Sequence, residues 1–249
     1  MIVGNKFSQK EAKSFYVKVR DDGTIYCWGF NTVTIIDKDT IEKAYKDYHS
    51  STYDRAYYDK KLREGNGKPG SDCSGMHCAL SGYDKTAQGY YDEVEDKRKG
   101  TIDTLPLHSC LVLYRGKSSN SIKHTGIYLA NGMVIHMKSS KENCVYESAD
   151  KHGWTHWTYA PWIDYDTPMN DKPIITRILK MGSKGIDVKL LQDQLIKKGY
   201  EPGIIDGDFG GNTYSALKHF QADNNIAVDG IAGKQTVKAL GMLWRGPSY

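Results

Sequence analysis

A thiol and two imidazoles carry the chemistry available to this sequence. Cys73 stands in Asp72-Cys73-Ser74-Gly75, where the loop Gly65-Asn66-Gly67-Lys68-Pro69-Gly70 gives way to a helix-like run from Met76 to Leu80. A cysteine at a helix start sits beside unpaired N–H groups and the positive end of the helix dipole, which favour thiolate over thiol. Asp72 is the expected N-cap, and the same N–H groups could receive an oxyanion formed when sulfur attacks an amide. A single cysteine is more often a small buried hydrophobe. Here a distant pair, His124 and His136, offers a base for the thiol proton and a group to orient that base.

The elements that must position these residues follow from pattern. His124 to Met137 reads as a hairpin around Asn131-Gly132. A two-residue turn would pair Ile127 with His136 and set a histidine on the apolar side. A three-residue loop, Ala130-Asn131-Gly132 with Gly132 left-handed, pairs Ile127 with Ile135 and Gly126 with His136. Thr125, Ile127, Leu129, Met133, Ile135 and Met137 then share one face, and His124, Gly126, Tyr128, Val134 and His136 the other. The histidines become diagonal neighbours, with Gly126 leaving space between them and both expected on the face nearest Cys73.

Elsewhere the periodicity predicts a first helix within Phe7 to Val19, with Ala12, Phe15, Tyr16 and Val19 inward. Residues 40–62 read as an inserted helical pair rich in tyrosine. Tyr45, Tyr48, Tyr53, Tyr57 and Tyr58 could line a groove, but such a stripe is first what core contact requires. Ser81 to Gly100 is expected to be irregular or weakly helical, and Leu111 to Tyr114 a strand.

Composition narrows the classes. The 249 residues are 39% hydrophobic and 26% charged with a net charge of +4, an ordinary globular make-up without a dense basic run, so nucleic acid is not the expected partner. The longest apolar run, Cys110 to Tyr114, is far short of the roughly 20 residues of a membrane helix. The N-terminus turns polar too early for a secretory signal, so synthesis in the cytoplasm and another route of release are expected. Five cysteines, with no C-x-x-C pair and no metal-like Cys/His spacing, predict reduced thiols, no metal and no cofactor.

Asp72-Cys73-Ser74-Gly75, His124-Thr125-Gly126-Ile127-Tyr128-Leu129 and Ile135-His136 together resemble the signature blocks of NlpC-type cysteine peptidases, papain-like enzymes that cut bacterial cell-wall peptides. Gly23-Thr24-Ile25-Tyr26-Cys27-Trp28-Gly29 resembles their upstream tyrosine block. The resemblance implies Cys73 as nucleophile, His124 as base and His136 as orienting residue, with Tyr26, Asp72 and Ser74 on the substrate side. Two departures stand out: a long insertion separates Tyr26 from Cys73, and Leu107-His108-Ser109-Cys110 replaces the family's usual Gly-Asp pair.

After a proline-bearing linker, 161–176, the C-terminal part repeats one device: Asp206-Gly207-Asp208-Phe209-Gly210-Gly211-Asn212-Thr213, then Asp229-Gly230-Ile231-Ala232-Gly233-Lys234-Gln235-Thr236. Each turn delivers a threonine to a helix start, and three short helices follow from Val188/Leu191/Leu195, Ala216/Leu217/Phe220 and Val237/Leu240. With Leu191-Gln192, Gly199-Tyr200 and Phe220-Gln221, this segment resembles a three-helix peptidoglycan-binding module. The expected architecture is an α+β papain-like peptidase domain, 1–166, followed by a small all-α module, 174–243, acting as a tether.

The activity implied is hydrolysis of a stem-peptide amide through a thioester, D-glutamyl endopeptidase favoured over N-acetylmuramoyl-L-alanine amidase. An acyltransferase or an inactive wall-binding protein are the readings from other classes. Peptidoglycan is the expected partner, and a phage holin the expected means of release.

Overall fold

The structure is a computed structural model that describes residues 6–165 and 172–247. The chain opens with β1 (Phe7–Ser8) and α1 (Gln9–Asp21). Ser8 and Glu11 form a reciprocal capping box, and α1 buries Ala12, Tyr16 and Val19, as the helical spacing requires. Next come β2 (Ile25–Tyr26) and β3 (Thr34–Ile35), which flank β4 (Pro69–Ser71) in a small sheet with Tyr26 opposite Ser71. The tyrosine block and the approach to Cys73 are thereby paired across the whole insertion.

That insertion is a helical pair, α2 (Lys38–Tyr48) and α3 (Arg55–Gly65), capped by Asp37 and Asp54. Its tyrosines are mainly core, packing around buried Tyr58, Ile41 and Ala44. They also hold the loop after Tyr26. Trp28 stacks on Tyr53 with ring centroids 4.8 Å apart, Tyr57 Oη accepts from Trp28 N, and Tyr58 Oη donates to Trp28 O.

The helix that follows Cys73 is α4 (Gly75–Ser81). The stretch read as irregular or weakly helical contains α5 (Ala87–Asp92), begun by the Thr86 side chain and buried through Tyr90 and Tyr91. Then come β5 (Lys99–Thr101), β6 (Ser109–Gly116), β7 (Ile122–Leu129), β8 (Met133–Ser139), β9 (Asn143–Ser148) and β10 (His156–Thr158), a six-stranded sheet in the order β5-β10-β6-β7-β8-β9. The hairpin register is the one predicted from the three-residue loop: Ile127 pairs with Ile135 and Tyr128 with Val134. Gly132 is left-handed, and so is Ala130. The Leu107–Cys110 departure coincides with a bulge, with Cys110 at φ 60° between Ser109 and Leu111.

Both faces of this sheet are buried. Val112, Tyr114, Ile127, Leu129, Ile135 and Met137 pack with Cys73 and with Tyr16, Met76 and Tyr90 of the helices. Leu111, Leu113, Tyr128 and Val134 form a second core with Trp154, Trp157 and the C-terminal helices.

The linker's described ends are tied down. β11 (Ile163–Asp164) pairs with β1, and β12 (Ile174–Ile175) pairs with β13 (Leu243–Trp244), while Ile174 N donates to Asn131 O in the hairpin loop. The middle of the linker, 166–171, lies outside the described residues.

The C-terminal helices are α6 (Ile186–Lys197), α7 (Gly211–Asp223) and α8 (Lys234–Ala239). The repeated turns are held by glutamines rather than capped by threonines. Gln192 Nε2 donates to Asp206 Oδ1, Asp208 O and Thr213 Oγ1, and its Oε1 accepts from Gly207 N. Gln221 repeats the set on Asp229, Ile231, Thr236 and Gly230. Glycines, Gly210 and Gly233, occupy the cap positions and the threonines enter the first turn instead.

The module is not merely appended. Asp150, in the peptidase part, accepts from Ile186 N at 2.8 Å and so caps α6, whose own cap residue Gly185 has no side chain to do it. Lys189 Nζ donates to Asp103 O.

Candidate active site

The helix carrying Cys73 starts under tight constraints. Asp72 Oδ1 accepts from Ser74 N at 3.0 Å, Ser74 Oγ at 3.0 Å and Gly75 N at 2.8 Å, so it caps α4 although Ser74 holds the cap position. A Cβ on Gly75 would lie 2.2 Å from Phe30 O, which is why only glycine fits there. Two of the N–H groups that the sequence offered to an oxyanion are thus occupied by Asp72.

Cys73 is 7% exposed. Its thiol is pushed up to about 12 by burial first and then by the Asp72 carboxylate, with partial relief from the backbone N–H groups of Thr125, Cys73 and Ser74. The expected thiolate is therefore not the resting form, because burial outweighs the helix start. Tyr26 lies beside it, its phenol raised by burial and then by Cys73.

α4 is fixed to the sheet by a residue that sequence reasoning missed. His77 Nδ1 meets Tyr16 Oη at 2.9 Å and its Nε2 meets Thr125 Oγ1 at 3.1 Å, while Thr125 Oγ1 donates to Leu113 O. Since Thr125 spends its proton on Leu113, His77 donates from Nε2 and accepts from Tyr16 at Nδ1. This clamp sets Cys73 against the main chain of Thr125, one residue from His124.

His124 and His136 alternate with Thr125 and Ile127 along the strand pair, and Cys73 meets this strand at the Thr125 main chain. α4 packs on the Thr125 side; the histidines pack on Trp154, which stacks on His124 with centroids 5.6 Å apart. Cys73 and His124 adjoin through Thr125, and no hydrogen bond joins them among the described residues. His124 Nε2 lies 2.8 Å from His136 Nδ1, and His136 Nε2 lies 3.0 Å from Glu147 Oε1. Ionised Glu147 can only accept, so His136 carries its proton on Nε2, accepts at Nδ1 from His124 Nε2–H, and leaves His124 Nδ1 as the free lone pair. A Cβ on Gly126 would fall 2.8 Å from His136 Cβ and 2.9 Å from Trp154, so the glycine makes this approach possible.

Glu147 sits on β9, opposite Val134, and its only sequence signal was its place in an alternating strand. Beside the helix start lies a cavity of about 530 Å³ lined by Asp72, Cys73, Ser74, Trp28, Tyr48 and Lys123 among others. Tyr26, His124 and His136 do not line it.

These histidines are buried neutral. Burial holds His77 down to about 3 and His136 to about 3, and burial with the neighbouring His136 holds His124 well below the ordinary range. Unfolded histidines titrate near about 6.5, so from there down toward 3 the unfolded chain binds more protons and stability falls with pH. Asp72 and Asp150, each pushed up to about 6 by burial, act in the opposite sense between about 6 and their ordinary 3.8. Three histidines over the wider window outweigh two carboxylates. The melting temperature should therefore drop steadily from pH 7 to pH 4; a flat or rising profile would mean that these rings are not neutral in the fold.

A cysteine at the start of a helix packed on an antiparallel sheet, with an imidazole chain on that sheet, is the α+β arrangement of papain-like thiol hydrolases. Residues 23–162 match the NlpC/P60 family, and the chain belongs to it. Residues 184–240 match a peptidoglycan binding domain.

Among curated relatives, the spore cortex-lytic enzyme of Bacillus cereus is 38% identical over 71 residues, 28% of this chain and 27% of that protein. The N-acetylmuramoyl-L-alanine amidase CwlM of Mycobacterium tuberculosis is 41% identical over 59 residues, 24% of this chain and 14% of that protein. Of solved structures, a Burkholderia AP3 phage endolysin is 41% identical with a TM-score of 0.25, covering 26% of this chain and 24% of that one. The chain spans about a quarter of the length of the first curated relatives it matches.

Proposed function

We propose that this protein hydrolyses an amide in the stem peptide of bacterial peptidoglycan, the bond after D-glutamate, with Cys73 as nucleophile. The observation that carries the reading is the hydrogen-bonded series Glu147–His136–His124, ending one residue from the main-chain group that faces the Cys73 sulfur. His124 takes the thiol proton on Nδ1 as sulfur attacks the carbonyl, and later gives it to the leaving amine. The Cys73 N–H and the Tyr26 hydroxyl receive the oxyanion, since Asp72 holds the next two N–H groups. Water, relieved of a proton by His124, then frees the acid from the thioester. Neutral thiol and neutral imidazole suit this sequence, because the ion pair need form only as the bond does. Asp72 and Ser74 line the substrate cavity.

His136 and Glu147 orient and polarise the base without touching substrate. His136→Ala should lower kcat roughly 10²-fold and Glu147→Gln about 10-fold, both less than His124→Ala. Glu147→Gln should also shift the acidic limb of the pH–rate profile while leaving KM unchanged. An unaltered profile would assign Glu147 a merely structural part.

The module at 184–240 supports the wall itself as the substrate. Mass spectrometry of purified wall fragments after digestion identifies the bond. New termini after D-glutamate are expected; muramic acid separated from L-alanine would instead make the enzyme an amidase.

A further inference from the structure

Three histidines, not two, converge at the candidate base. His152, in the loop after β9, sets its ring centroid 4.5 Å from that of His136 and 5.3 Å from that of His124, tilted by 53° and 57°. Ligand nitrogens of His124, His136 and His152 all lie within 4.8 Å of one another. His152 Nε2 is buried without a hydrogen-bond partner, whereas its Nδ1 lies 3.4 Å from Glu147 Oε1. No motif spacing could announce this set, because its members come from β7, β8 and a loop.

We propose that these three side chains form an inhibitory site for a borderline-soft divalent cation, with zinc as its natural fit, that shuts the enzyme off by fixing the tautomer of His124. The inference rests on the assignment of His124 as base. Zinc would take His124 Nε2, His136 Nδ1 and His152 Nε2, and water as a fourth ligand. Zn–N bonds of about 2.0–2.1 Å in a tetrahedral site set the nitrogens roughly 3.3 Å apart. The 2.8 Å His124–His136 separation must open slightly, and His152 must close in by a small ring movement.

His136 keeps its Nε2–H on Glu147, the carboxylate–imidazole–metal arrangement that strengthens a ligand. The proton balance is simple. Metal on His124 Nε2 displaces the proton donated to His136, and that proton moves to Nδ1, the lone pair the reaction needs. A metal-bound His124 is thus a donor at the wrong atom and cannot accept the thiol proton. Other groups set the affinity: the Arg115 and Lys138 charges disfavour the charged forms of these imidazoles and would oppose a cation, while Glu147 favours one.

Zinc added to the full-length protein should bind at one ion per chain by calorimetry, suppress turnover of soluble muropeptides, and be reversed by a chelator. Cobalt in its place should give the absorption of a nitrogen-ligated tetrahedral ion without a thiolate charge-transfer band. His152→Ala should leave the metal-free rate unchanged and raise the zinc concentration for half-inhibition at least ~10-fold. His152→Gln, which keeps the volume, covers a folding failure of the alanine variant.

Inhibition unchanged in both His152 variants would overturn the site. So would loss of zinc binding in Cys73→Ala, which would make the thiol the ligand. Because calorimetry and cobalt absorption read binding without turnover, they stand even if His124 proves not to be the base. Binding without inhibition would then sink the tautomer mechanism alone.

Discussion

Cys73→Ala should cut turnover at least ~10³-fold while leaving the fold intact, since the remaining members of a nucleophile–base set cannot supply the missing bond-forming atom. The fold should survive because the substitution removes one buried atom and none of the contacts that fix α4, which come from Asp72, Gly75 and His77. His124→Ala should be nearly as severe. Rates on a soluble muropeptide, with melting curves as control, decide the matter, and wild-type turnover in Cys73→Ala would end the thiol mechanism. Alkylation adds a kinetic signature. With the thiol held up to about 12, inactivation by an alkylating agent should be slow near neutrality and accelerate with pH. Cys27 and Cys144 are also pushed up to about 12 by burial and Cys110 is fully buried, so faster labelling elsewhere would have to come from the half-buried Cys78, whose thiol is raised as well.

The parts of the site that were legible in the sequence are those governed by local rules. Alternation and the left-handed preference of Gly132 set the hairpin register, and that register brought His124 and His136 together. Helical spacing found α1, both inserted helices and all three C-terminal helices. What escaped depends on contacts between segments far apart. Glu147 and His77 matter only through partners on other elements, and an isolated Glu or His in a strand or helix carries no mark of it. The resting state of Cys73 was misjudged for a related reason: a helix start can be seen in sequence, but burial that outweighs it cannot. α5 lies in the stretch read as irregular or weakly helical, but its bounds could not be placed because six residues give too short a window for periodicity. The tether expectation did not include a cover of C-terminal helices over Leu111 and Leu113, read only as part of a strand, and over Tyr128 and Val134, read as one face of the hairpin.

That covering bears directly on what happens when the module is removed. A pure tether raises local concentration on the wall and leaves chemistry on soluble fragments untouched. The fold argues for a stronger dependence. One buried cluster runs from Leu111, Leu113, Tyr128, Val134 and Trp154 into Ile175, Ile186, Leu190 and Leu191. Ending the chain after Tyr165 would expose part of the sheet's second face, free Asp150 from the start of α6, and remove the Ile174 bond to the hairpin loop. At about 1.5–3 kcal/mol for each large side chain fully returned to water, even partial exposure of these five costs on the order of 5 kcal/mol. A typical domain has only about 5–15 kcal/mol in total. Trp154 also backs both imidazoles, so loosening it disturbs the base directly. The truncated chain should therefore melt well below the full chain and lose most of its rate on soluble muropeptides as well as on intact walls. Residues 172–249, which keep their own helices and glutamine-braced turns, should still sediment with walls. Full activity of the truncated chain on soluble fragments, with loss only on walls, would restore the tether and show that the shared core contributes little to the peptidase.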